Sequence, residues 1–70
     1  MNSNALKAKI VEKGMTVGEF CTRTNFVRST FDRKMNGCSE FDREEIQRIM
    51  IALDLTIEEA CNIFFADEVT

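Results

Sequence analysis

The sequence predicts an all-α fold of five short helices, and three observations carry that prediction. Apolar residues recur at spacings of three and four, and no alternation of period two runs long enough for a sheet. Three segments open on a Thr or Asp with Glu three residues later (Thr16 and Glu19, Asp42 and Glu45, Thr56 and Glu59), the reciprocal pattern that caps helix starts. The 70 residues are 44% apolar and hold no Pro-rich or Ser-rich tract and no internal repeat, which suits one small domain near the lower limit for a self-sufficient core.

The first helix is expected over about 4–13, with Ser3 or Asn4 as its cap, Leu6 and Ile10 facing inward and Gly14 as its stop. Lys7, Lys9 and Lys13 lie elsewhere on its surface, as a solvated face from which one or two can reach phosphates. The second helix spans about 17–24. The Thr16 hydroxyl accepts the Glu19 amide, the Glu19 carboxylate returns to the Thr16 N–H, and Val17, Phe20, Cys21 and Thr24 share a face. Asn25 suits the left-handed residue that ends such a helix.

The third helix, about 28–35, has Val27, Phe31 and Met35 as an inner stripe. Ser29, Asp32, Arg33 and Asn36 lie opposite, with Arg28 beside them, and Asn36-Gly37 closes the helix because Gly37 is free to take positive φ. The fourth helix, about 43–53, starts at the Asp42 cap, with Phe41 stapling against Ile46; Ile46, Ile49, Met50 and Leu53 face the preceding pair of helices. Asp54-Leu55-Thr56 breaks it. The fifth helix, about 57–65, is expected to turn Ile57, Cys61 and Phe64 inward.

Composition removes whole classes of chemistry. With no His, Trp, Tyr or Pro, imidazole catalysis and His-containing zinc sites are excluded. Cys21, Cys38 and Cys61 form no C-x-x-C pair; Cys21 and Cys61 are read as small buried hydrophobes and Cys38 as exposed, in a reducing compartment. Glu44-Glu45 and Glu58-Glu59 are adjacent residues that do not face one another on a helix, so they are first-turn acids favoured by the helix dipole and not a catalytic pair. Neither enzyme activity nor a cofactor is expected. MNSNALKAK lacks the apolar core of a signal peptide and no apolar run approaches a membrane span, so a soluble cytoplasmic protein with no membrane partner is expected.

The net charge of −3 is unevenly distributed. Up to Gly37 there are seven bases and three acids; from Cys38 on there are two bases and nine acids. A basic half carrying the third helix and an acidic half away from it would orient the domain toward a phosphate backbone, although charges that merely solvate a surface can fall this way too. Two short helices joined by a tight turn, the second with a polar outward face, are what a helix-turn-helix needs to lay one helix in a DNA major groove.

From Thr16 to Gly37 the ordered set Thr16, Glu19, Phe20, Cys21, Phe26, Arg28-Ser29-Thr30-Phe31 and Asn36-Gly37 resembles the helix-turn-helix of the phage repressor and Cro-like proteins, the XRE-type family. Arg33 to Phe41 is similar to a variant found in phages of Gram-positive bacteria. The resemblance implies a compact lambda-repressor-like DNA-binding domain, with the motif at the second and third helices, acting as a sequence-specific regulator of Cro or minimal repressor type. At this length it leaves no room for the second domain of larger repressors. The chain departs from the pattern at Val17 for the usual Gln, Thr24 for a core Leu or Ile, Asn25 for Gly, and Val27 for the capping Ser, the last worth about 1 kcal/mol.

With the third helix in the groove, Arg28, Ser29, Asp32 and Arg33 point at base edges and Thr30 lies at the flank. Arg33 is the first choice for a bidentate contact to guanine O6 and N7. Arg28 can serve a base or a phosphate. Asp32 can accept from cytosine N4, hold the Arg28 guanidinium four residues earlier, or form an ordinary surface ion pair with it. Lys34, Asn36 and the Gly37 amide are the expected backbone contacts.

Ile51, Ile63, Phe65 and Val69 are surplus to one small core unless Ile51 and Ile63 belong to it. Ile63, Phe65 and Val69 are therefore the expected interface of a homodimer that binds the two half-sites of a double-stranded DNA operator. A second class of function stays open: a protein-binding antirepressor on the same scaffold, blocking a partner repressor, toward which the net negative charge, Val17 and Val27 lean.

Overall fold

Reciprocal caps start three of the five helices in the computed structural model, which describes residues 1–65. Thr16 Oγ1 accepts the Glu19 amide and Glu19 Oε1 accepts the Thr16 amide, both at 3.1 Å. Asp42 with Glu45 repeats the exchange at 2.8 and 2.9 Å, and Thr56 with Glu59 at 3.1 and 3.0 Å. Each exchange satisfies two amides that a helix start leaves without partners. The helices are α1 (Ser3–Glu12), α2 (Val17–Thr24), α3 (Arg28–Met35), α4 (Arg43–Leu53) and α5 (Ile57–Phe64), with no strand among the described residues.

Four helices end in the same way. Gly14, Asn25, Gly37 and Asp54 take positive φ, and the next residue donates its amide five residues back: Met15 to Ile10, Phe26 to Cys21, Cys38 to Arg33 and Leu55 to Met50, at 2.9 to 3.1 Å. This closure turns the following side chain back against the helix it terminates. Met15 and Leu55 thereby become buried core residues and Phe26 a half-buried one, although none lies in a helix.

The centre of the core holds Leu6, Ile10, Phe20, Phe31, Ile49 and Leu53, all fully buried. α2 packs on α1, α3 and α4, and α5 packs on α1. Phe31 contacts the rings of Phe20, Phe26 and Phe41 at centroid separations of 5.7, 5.5 and 5.7 Å, and Phe41 continues to Phe64 at 5.9 Å. Rings at these separations and tilts lie within the favourable range for aromatic pairs. One aromatic cluster thus joins α2, the turn, α3, the α3–α4 linker and α5.

Several expectations are corrected. Asn2, not Ser3 or Asn4, caps α1 by accepting the Ala5 amide; Ser3 instead donates its hydroxyl to the Met35 carbonyl at 2.6 Å. Val27 is not part of the inner stripe of α3. It stands outside the helix as its N-cap, in extended conformation, 66% exposed, because the helical repeat that aligns Phe31 with Met35 does not extend to it.

The face of α5 is also rotated. Ala60, Ile63 and Phe64 are buried while Ile57 and Cys61 are exposed, so Ile63, at 3% exposure, is a core residue and does not belong to a free interface. Apolar residues at 57, 60, 61, 63, 64 and 65 cover more than half the circumference of this helix, a wider arc than the core takes, and the fold buries the side that carries Ala60, Ile63 and Phe64. Ile51 and Phe65 are exposed, as expected, and Val69 lies outside the described residues.

Candidate nucleic-acid interface

The sequence of α3 divides it into two faces, and burial follows that division. Phe31 and Met35 are buried, whereas Arg28, Ser29, Thr30, Arg33 and Asn36 are exposed and Asp32 is partly so. The helix is fastened at both ends. Cys21, Thr24 and Phe26 hold the turn before it; Thr24 is buried despite its hydroxyl because it donates to the Phe20 carbonyl at 2.7 Å. At its far end Ser3 holds the Met35 carbonyl, and Lys34 Nζ lies 2.5 and 2.6 Å from the two Glu45 carboxylate oxygens.

The expected contact residues therefore have different settings. Arg33 and Ser29 stand clear of side-chain partners among the described residues. Arg28 Nε is 3.2 Å from both Asp32 oxygens, so the pair anticipated at this spacing forms. Lys34 faces Glu45 and the Phe41 ring and is mostly buried. The Gly37 amide donates to the Lys34 carbonyl at 3.2 Å, which leaves Asn36 to offer an exposed side chain at the closing turn.

Arg48 was not anticipated. Its Nη1 donates to the Thr24 carbonyl at 3.0 Å and its guanidinium lies 4.9 Å from the Phe26 ring centroid, so α4 braces the turn of the motif. The contact spans 24 residues, and no local pattern announces it. Cys21 lies behind this surface; burial pushes its thiol up, with Asp32 adding to the effect and Arg28 opposing it. Such a thiol is a packing residue, not a nucleophile. Among the described residues no His, Cys, Asp and Glu group is placed to hold a metal ion.

The order of the helices, the capped turn between α2 and α3 and the polar outer face of α3 define a helix-turn-helix DNA-binding domain. Residues 5–65 match the Cro/C1-type HTH DNA-binding domain, and the chain belongs to that family. Neither the curated proteins nor the solved structures compared with it provide a match. No described helix is long and apolar enough to cross a membrane.

Proposed function

We propose that this domain is a sequence-specific transcriptional regulator of the phage Cro or repressor type, acting in the bacterial cytoplasm and reading the major groove of an operator with α3. The observation that carries this reading is the exposed face of Arg28, Ser29, Thr30, Arg33 and Asn36 on a helix whose back is locked by Phe31 and Met35. Arg33 pairs with guanine, Ser29 and Thr30 contact neighbouring edges, and Asn36 fixes register on the phosphates. Lys34 contributes by holding the last turn of α3 through Glu45.

The regulator works as a homodimer. The supporting surface is Ile57 and Cys61 on successive turns of α5 with Phe65 at its C-cap, all exposed, rather than the buried Ile63. A two-fold pair of such domains matches half-sites about one turn of DNA apart.

Selection of bound duplexes from a random pool tests the function. The expected product is an enriched palindrome whose affinity falls steeply with salt, by a log–log slope of roughly −0.9 for each phosphate neutralised. No enriched sequence, together with co-purification of a second protein, would overturn it in favour of an antirepressor.

A further inference from the structure

Two charged residues on the outer face of α3 present themselves as separate readers, but the geometry makes them one. Arg28 Nε sits 3.2 Å from Asp32 Oδ1 and 3.2 Å from Oδ2, so the carboxylate straddles the inner edge of the guanidinium. On the other side, Arg28 Nη1 lies against the first turn of α2, 3.7 Å from where a Cβ on Gly18 would stand. The guanidinium is thus anchored through Nε by the acid on its own helix and passes beside the first turn of the preceding one, while its side chain stays 57% exposed and that of Asp32 49%.

We propose that Asp32 is a positioning residue for Arg28 and does not itself select a base. An ionised carboxylate only accepts hydrogen bonds, and both of its oxygens already face Arg28. Held by Nε, Arg28 keeps its Nη donors for the groove, a fork suited to the two acceptors of guanine. The neutralised pair also keeps an acid on the reading face from repelling phosphate. The two side chains therefore contribute a single base determinant, separate from the one supplied by Arg33. This inference rests on the DNA-reading function proposed above.

The test measures affinities for the duplex enriched by the unaltered protein and for its single-base variants, using Arg28→Ala, Asp32→Asn, Asp32→Glu and the double variant Arg28→Ala with Asp32→Asn. Thermal melting verifies that each is folded. Arg28→Ala is expected to flatten preference at one base pair of each half-site, a loss of roughly 5- to 150-fold in discrimination. Asp32→Asn is expected to weaken preference at that same base pair, Asp32→Glu to restore part of it, and the double variant to match Arg28→Ala alone.

Loss of preference at a different base pair in Asp32→Asn, with the Arg28 determinant intact, would overturn the proposal, as would additive losses in the double variant. Those outcomes leave the regulator reading standing. Failure of the unaltered protein to enrich any duplex would instead remove that reading, and this inference with it.

Discussion

Glu45 serves two helices at once: its Oε1 accepts the Asp42 amide at 2.9 Å, and its carboxylate holds Lys34 Nζ of α3 at 2.5 and 2.6 Å. The two side chains are only 14% and 11% exposed, and the Phe41 ring lies beneath the ammonium, its centroid 5.7 Å away. The acid that starts α4 thus also fixes the last turn of α3.

Lys34→Ala strands a buried carboxylate and is expected to cost about 3 kcal/mol. Glu45→Ala strands the ammonium and removes half of the α4 cap, so it should cost more, by roughly 1 kcal/mol. Urea unfolding of both variants checks the order, and equal costs would mean that the cap contributes nothing.

Phe31 is fully buried among three other rings, and truncating it leaves a cavity beneath the exposed face of α3. Phe31→Ala should lose about 3–5 kcal/mol. In so small a domain that is most of the stability, so its melting transition should approach room temperature. A loss below about 1 kcal/mol would show that the cluster is loosely packed.

Val27 caps α3 without a side-chain hydrogen bond and buries little. Val27→Ser should therefore stabilise the domain by about 1 kcal/mol, raising Tm by roughly 4–8 °C. An unchanged or lowered Tm would point to packing by Val27 that its exposure does not reveal.

The Glu59 carboxyl is held down to about 2, first by its hydrogen bond from Lys9 and then by the Thr56 amide. Lys9 is raised from 10.5 by the same partner, against a smaller opposing effect of burial. Because the Glu59 carboxyl titrates lower in the folded chain, its contribution is complete above the ordinary value of 4.5 and is lost as pH falls toward about 2. The contribution of Lys9 is complete below 10.5 and is lost as pH rises through its raised value. Lys9→Met should flatten the stability profile at both ends, while a profile unchanged between pH 2 and 4.5 would show that the pair is open in solution.

Ile57 is 77% exposed on the surface proposed for the dimer. Ile57→Asp should leave folding intact and weaken self-association roughly 10- to 150-fold, the equivalent of one apolar side chain at an interface. Sedimentation equilibrium reads the change, and an unaltered dimer constant would place the interface elsewhere.

The caps of α2, α4 and α5, the stops and the division of α3 between buried and exposed faces were legible in the sequence because each depends on residues within four or five positions of one another. Thr16 with Glu19, Asn25 at the turn and Phe31 with Met35 needed nothing beyond local geometry. The same local logic misplaced Val27, which lies just outside the helix whose period it was assigned. On α5, an apolar arc wider than the buried face left the phase undetermined until the fold buried Ala60, Ile63 and Phe64 and exposed Ile57 and Cys61.

The sequence by itself determined the five helices, the helix-turn-helix and the polar outer face of α3. Only the tertiary structure decided that Lys34 binds Glu45, that Arg48 braces the turn at the Thr24 carbonyl and that Ser3 holds the Met35 carbonyl, contacts spanning 11, 24 and 32 residues. Local patterns record what a segment can satisfy within itself, whereas the partner of a long side chain depends on which distant segment the shared core brings beside it.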